Sequence, residues 1–336
     1  MISETSFNLV HAKEVFSKRW QSVKQSGSEE TNQDPMEKLN VVVALTTREN
    51  DYQAEQAVAV AEVATRLGIK IQVIYADNDA VNQTQQLIKI IQDPAQRPTA
   101  ILVEPVGTGM PQVAKAAVGA GIGWGIINSD PDYIADLRQG GAVPVFSVST
   151  DQSEVGRIQG TQLGVLVPEG NVLYIEGPFA SMATQLRTKG MLSAKPAGVE
   201  LKMLKGDWTE RSAHNAAKSW LSLGSSRDLK IQAVICQNDA MAMGARKAFV
   251  DLTEKDREQW LSIPFTGCDG VTRTGQDWVR RGLLKATIIT APAAGTALEI
   301  LAKAVNTGSM PPDRTLIPPQ SFPPIQELRG KKTSTG

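Results

Sequence analysis

The stretch LNVVVALTT (39–47) is a continuous apolar run, and a helix-like segment, YQAEQAVAVAEVATRLG (52–68), follows it directly. That succession constrains the fold more than any other feature of the chain. A strand with apolar side chains on both faces must be covered on both, as in parallel sheets flanked by helices. The pattern continues through KIQVIYA (70–76), VNQTQQLIKIIQ (81–92), TAILVEP (99–105), PQVAKAAVGAG (111–121) and GWGIINSD (123–130). It then starts again, with apolar runs at 145–151, 171–177, 200–208, 232–239, 263–270 and 283–290, each but the last followed by a helix-like or turn-rich stretch. The long helix AAGTALEILAKAVNTG (293–308) closes the series. Two successive βα series of similar size predict two similar lobes, each a doubly wound parallel sheet.

The chain has 336 residues, enough for two domains. The predicted N-terminal lobe is 39–144 with 292–312, and the C-terminal lobe is 145–291 with 313–328. Residues 1–38 lie outside both; they end in the polar SGSEETNQD, and 8–24 could form a short, ragged helix. Residues 329–336 read as a polar tail. PPDRTLIPPQSFPPI (311–325) is too rich in proline for a central strand and suits a crossing segment with an edge strand.

Several function classes find no support. Lys+Arg and Asp+Glu are both 35, and no long basic stripe occurs, which argues against nucleic acid or an anionic membrane as the main partner. No apolar run reaches the ~20 residues of a membrane span. The N-terminus shows no charged segment followed by an apolar core, so the sequence as written is expected in the cytoplasm, with periplasm or cell envelope as the alternative. Two cysteines, Cys236 and Cys268, are expected as free thiols. HExxH, CxxC and GxSxG are all missing, and no cofactor is expected. VGTGMPQ (106–112) approaches a dinucleotide fingerprint but has Gln112 in the last glycine place, and a tight βα turn is the simpler reading. RGKKTSTG (329–336) resembles the end of a phosphate loop but lacks its upstream glycine and the following helix.

Polar residues remain at the ends of the predicted strands: Thr46, Thr47 and Arg48; Glu104; Asn128 and Asp130; Asp151; Asp207 and Trp208; Asn238 and Asp239; Asp269; Thr290. Open parallel sheets bind ligands beyond the carboxyl ends of their strands. Carboxylates accept from sugar hydroxyls, amides donate and accept, and an indole face covers C–H groups, so this set suits a hydroxyl-rich ligand in a cleft between lobes.

The order TAILVEPVGTG, AGIGWGIINSD, VSTDQSEVGRIQG, LRTKGM, AVICQNDAMAMGARKAF, FTGCDG and GLLKATIITAPAAGTALEIL resembles the type I periplasmic binding proteins. The similarity is greatest to the ribose-binding-protein-like sugar binders, which share their fold with the ligand-sensing domains of LacI-type repressors, and it covers about residues 39–328. It implies two α/β lobes joined by a three-crossing hinge, closing over a ligand without catalysis. It also implies a sugar-like small molecule as partner, an ABC transporter permease or a sensor protein behind it, and a monomer. By position, it carries ligand binding onto Asn50, Tyr52, Asn128, Gln185, Trp208, Asn238, Asp269 and Thr290. Gln53 replaces a second aromatic, Asn128-Ser129 replaces an Asp-Arg pair, and Gln185 stands where an arginine is common, with Arg187 matching a second arginine two residues on. These departures argue against ribose itself. Arg48 and Glu104 either restore charge to the pocket or face solvent. Asn238 is expected on the ligand and Asp239 as the cap of the following helix. A cytoplasmic ligand-sensing domain is the alternative function, and a nucleotide-dependent enzyme the remote one.

Overall fold

The computed structural model describes residues 39–328, apart from 96, 108–109, 141–142 and 224–228. The expectations for 1–38 and 329–336 lie outside the described residues. The described residues form two compact units: one comprises residues 39–48, 53–149 and 292–316, the other 49–52, 150–291 and 317–328.

In the first unit, β1 (Asn40–Leu45), β2 (Lys70–Tyr75), β3 (Ala100–Val103), β4 (Gly123–Ile127), β5 (Val145–Thr150) and β11 (Arg314–Ile317) form one sheet in the order β11-β5-β4-β3-β1-β2. The pairs β1–β2, β1–β3, β3–β4 and β4–β5 are parallel, with Val43 opposite Val73 and Leu102, and Ile126 opposite Ser147. β3, β4 and β5 are buried at every residue, as continuous apolar runs require, whereas the edge strand β2 is only partly buried. The helices are α1 (Asp51–Leu67), α2 (Ala80–Gln92), α3 (Pro111–Gly119), α4 (Tyr133–Arg138) and α11 (Ala293–Thr307). Leu87 and Ile91 of α2 and Val113 and Ala117 of α3 pack with Val42, Ile101, Trp124 and Ile126 of the sheet.

In the second unit, β6 (Glu169–Glu176), β7 (Gly198–Lys205), β8 (Ile231–Cys236) and β9 (Phe265–Thr266) run in the order β7-β6-β8-β9. Bridges from Thr266 to Ala286 and from Asp269 to Ile289 continue it toward β10 (Thr287–Ile289), which pairs antiparallel with β12 (Gln320–Phe322). The helices are α5 (Gln152–Leu166), α6 (Met182–Ala194), α7 (Glu210–Leu221), α8 (Asp239–Val250), α9 (Glu254–Ser262), α10 (Gly275–Arg280) and α12 (Ile325–Leu328). Counted by order in the chain, the first sheet runs 2-1-3-4-5-6 and the second, extended by its bridges to β10, runs 2-1-3-4-5, so each has a topological switch point between its first and third strands.

Two boundaries differ from expectation. β5 was expected to open the second lobe, but its ladder with β4 makes it part of the first sheet, and the chain crosses after residue 149. The segment 313–316 stays with the first unit as well, because Ser147 N donates to Asp313 O at 2.9 Å and β11 forms that sheet's edge. The expected single edge strand in 311–325 is two short strands, β11 and β12, separated by Pro318 and Pro319, which have no N–H for a ladder.

Candidate functional site

The second unit's switch point lies between the ends of β6 and β8. Gln237, Asn238 and Asp239 make the elbow from β8 into α8, and all three are buried. Gln237 spans the switch point: its Oε1 accepts from Gly177 N at 2.9 Å, and its Nε2 lies 2.9 Å from Tyr174 Oη and Thr188 Oγ1 and 3.1 Å from Thr184 O. Asn238 is extended (φ −148°, ψ 169°), and its Oδ1 accepts from Met241 N at 2.8 Å, so Asn238 is the N-cap of α8. Its Nδ2 donates to Trp208 O at 2.9 Å. The expectation that Asp239 caps the helix is therefore corrected. Asp239 is already the first helical residue, one position past the cap. It accepts instead from Gly270 N at 2.8 Å and from Thr287 Oγ1 at 2.7 and 2.8 Å. Burial pushes the Asp239 carboxyl up to about 7, against the opposing pull of the Thr287 and Gly270 hydrogen bonds.

Around this elbow stand Trp208, Asp269, Thr290 and Arg187. Trp208 follows β7 at φ +74°, and its indole lies on Gly177; a Cβ there would stand 2.4 Å from the ring. Asp207 Oδ1 accepts from Thr209 N at 3.1 Å, and Thr209 caps α7, which anchors the indole's chain neighbours. Asp269 follows β9 at φ +106° and is buried; its N donates to Ile288 O at 3.0 Å, and its O accepts from Thr290 N at 3.1 Å. Arg187 on α6 is buried, with its guanidinium 5.4 Å from the Trp208 ring centroid and Nη1 3.9 Å from Asp269 Oδ1. Its Nε donates to Gln152 Oε1 at 2.8 Å, and Nη1 donates to Gln237 O. The arginine reaches these partners because α5 and α6 nearly touch: a Cβ on Gly156 would stand 2.0 Å from Arg187 O, and one on Gly190 2.1 Å from Ser153 O.

Gln185 is not brought to this group. It lies on the exposed side of α6, and its Nε2 donates to Phe179 O at 3.0 Å. Two residues along a helix turn a side chain by about 200°, so Gln185 and Arg187 face opposite ways. Arg187, not Gln185, is the α6 residue that the fold brings beside Trp208 and Asp269.

In the first unit, Glu104 follows β3 and is half-buried; its Oε2 accepts from Gln53 Nε2 at 3.0 Å, while its main-chain O accepts from Gln83 Nε2 at 2.8 Å. Gln53, in the place of an aromatic, is buried, and its Oε1 accepts from Thr46 N at 3.3 Å. Arg48 is exposed and stacks 4.4 Å above the Tyr75 ring, whereas Asp151, at the start of the second unit, caps α5 through Glu154 N. Asn128 is buried at φ +56° with its N donating to Val148 O at 2.9 Å. Asn50, which precedes α1, and Tyr52, buried in its first turn, fall in the segment 49–52 of the second unit.

Among the described residues, the non-glycine residues with left-handed φ are Asp77, Asn78, Asn128, Trp208 and Asp269. Asp77 and Asn78 form the turn before α2. The other three are all site candidates from strand ends. A left-handed residue of this kind costs about 1–3 kcal/mol and persists where the surroundings impose it, typically at ligand sites. For a tryptophan it is a genuine outlier, since the bulky side chain gains no local hydrogen bond in return.

This arrangement can stack a ring, accept from hydroxyls and donate from a guanidinium, and among the described residues no group of His, Cys, Asp or Glu could hold a metal. Fold and site together define a two-unit α/β protein built to hold a small polar ligand at the carboxyl ends of parallel strands. The chain belongs to the family of the periplasmic binding protein domain, whose model matches residues 41–309. It is 29% identical over 188 residues to a protein of Rhizobium meliloti named for rhizopine binding, covering 54% of this chain and 57% of that protein. It is 27% identical over 292 residues to the D-apiose import binding protein of Paraburkholderia graminis, covering 82% of this chain and 85% of the relative. Among solved structures it resembles an ABC transporter periplasmic solute binding protein from Actinobacillus succinogenes with bound D-allose: TM-score 0.72, 20% identity, 87% of this chain and 99% of that one. These likenesses lend no support to a cytoplasmic location. Among the described residues no helix is long and apolar enough to cross a membrane.

Proposed function

We propose that this protein binds a neutral sugar or polyol, without catalysis, for uptake by an ABC-type transporter at the cell envelope. The observation that carries this reading is the pair of strained residues Trp208 and Asp269, both in contact with Arg187 at the second unit's switch point. The indole face covers the C–H side of a sugar ring, while the Asp269 carboxylate accepts from its hydroxyls and Arg187 donates to its oxygens. Asn238 and Thr290 supply further polar groups on the same rim. Asn50, Tyr52, Glu104 and Asn128 join the set on the resemblance and on Asn128's own strained backbone. The D-apiose relative, similar along most of both chains, supports a hydroxyl-rich ligand and import.

A thermal-shift screen tests it. A probe that binds only the native protein stabilises it by about 2.7 kcal/mol at a hundred times its Kd. D-apiose, D-allose, xylitol or myo-inositol should raise Tm, and ATP or phosphate should not. A shift from the anions alone would overturn the sugar reading. The monomer expected from the resemblance is checked by sedimentation of the same sample with and without the stabilising probe.

A further inference from the structure

Asp239 is buried, and it is bonded on both sides of Asp269. Its own N–H donates to the carbonyl of Cys268 at 2.6 Å, and its Oδ2 accepts from the N–H of Gly270 at 2.8 Å. The two peptide groups flanking Asp269 are thus both bonded to one residue 30 positions earlier, in addition to their bonds with Ile288 O and Thr290 N. Thr287 Oγ1 fixes the carboxylate from β10 at 2.7 and 2.8 Å to its two oxygens. The box is closed by bare backbone: a Cβ on Gly267 would stand 2.2 Å from Oδ1, and one on Gly275 2.0 Å from Oδ2. A side chain enclosed this tightly has one rotamer, so the Cys268 carbonyl and Gly270 amide have one allowed spacing. Between two peptides fixed in this way, Asp269 sits at φ +106°, a conformation its own side chain would not choose.

We infer that Asp239 is a positioning residue for ligand recognition: by gripping the peptides on both sides of Asp269, it imposes the left-handed backbone that aims the Asp269 carboxylate at the ligand. This rests on the reading of Asp269 as a ligand group. It predicts that the hydrogen-bonding shape of residue 239 matters, and its charge does not. Asparagine has the same shape. Its Oδ1 can accept from Gly270 N, and its Nδ2 can donate to Thr287 Oγ1, whose hydroxyl rotates to accept.

The test uses the full chain as wild type, Asp239→Asn, Asp239→Ala, Asp269→Gly and the double variant Asp239→Ala/Asp269→Gly. Two quantities are read: hydrogen exchange of a peptide containing Gly270, and the Kd of whichever of D-apiose, D-allose, xylitol or myo-inositol stabilises the wild type. Asp239→Ala should speed exchange at Gly270 and weaken probe binding, each about ten- to a hundred-fold, the size of one buried donor left without its acceptor. Asp239→Asn should stay within about three-fold of wild type, the spread ordinary for a satisfied isosteric swap. In the Asp269→Gly background, Asp239→Ala should weaken binding no further, because residue 239 acts through residue 269. Additive losses in the double variant would overturn the inference and leave Asp239 as general scaffold. So would an Asp239→Ala protein that binds as wild type does. If Asp239→Ala does not fold, Thr287→Val decides: it should raise Gly270 exchange and Kd together, and no change in either overturns the inference. Should the wild type bind none of the four probes, the sugar reading fails, while Gly270 exchange still decides whether Asp239 holds the turn.

Discussion

Replacing Asp269 by glycine and by alanine separates two effects that one substitution would mix. Both remove the carboxylate; only glycine is at ease at φ +106°. At 3.9 Å the Coulomb attraction of Arg187 and Asp269 is about 4 kcal/mol with an effective dielectric constant near 20. Much of this is recovered when the carboxylate is removed, because Asp269 no longer has to be desolvated and Arg187 keeps Gln152 and the Gln237 carbonyl. A net loss of about 1–2 kcal/mol is then expected for Asp269→Ala without ligand. Glycine regains the left-handed penalty of about 1–2 kcal/mol but gives back about 0.4–1 kcal/mol through the entropy of its unfolded chain. Asp269→Gly should therefore be more stable than Asp269→Ala by roughly 1 kcal/mol, or about 2–4 °C in Tm for a unit of this size. Ligand-free calorimetry of the two variants measures this difference directly. Titration with the stabilising probe should show both weakened about ten-fold or more, since both lack the acceptor. If alanine proves as stable as glycine, the backbone at 269 carries no strain, and the main observation behind the proposed function is lost.

Three further outcomes are expected. The Asp239 carboxyl is held at about 7 in the fold against about 3.9 when unfolded, so the native protein keeps a proton that unfolding releases. The stability from this group is complete below pH ~4 and is lost as pH rises through ~7, so the Tm of wild type relative to Asp239→Asn should fall between pH 5 and 8; a constant or rising difference refutes the buried-carboxyl assignment. Gly177→Ala would put a methyl 2.4 Å from the Trp208 ring and should cost about 1–3 kcal/mol while weakening probe binding, and unchanged affinity by titration would show that the indole is not a ligand plate. Cys236 packs with Leu173, Ile175 and Val234, whereas Cys268 packs with Val155, Ile158 and Ile288, so a thiol reagent should find two free thiols only after denaturation; a disulfide in the native protein would contradict this packing.

Much of the fold was legible because the relevant signal is local. Apolar side chains on both faces of a run such as NVVVAL demand cover on both faces, which fixes the strand type before any partner is known. The ends of those runs also marked Trp208, Asn238, Asp269 and Thr290, since ligands of parallel sheets gather at carboxyl ends. Local signals could not decide which side of the crossing β5 falls on, because a continuous apolar run such as 145–150 suits either parallel sheet and only its ladder with β4 settles it. Nor could they tell Asn238 from Asp239: both can cap a helix, and the choice depends on which of them keeps an extended φ and ψ. The resemblance pointed to Arg187 only as a second arginine and put Gln185 in the set, because which of the two faces inward depends on Gln152, 35 residues away from Arg187, and on the bare contact of Gly156 with α6. The left-handed backbone of Trp208 and Asp269 is unfavourable for their residue types, so no propensity predicts it. It exists only because the folded unit holds those peptides from outside, by bonds to residues that the chain brings near through tertiary packing alone.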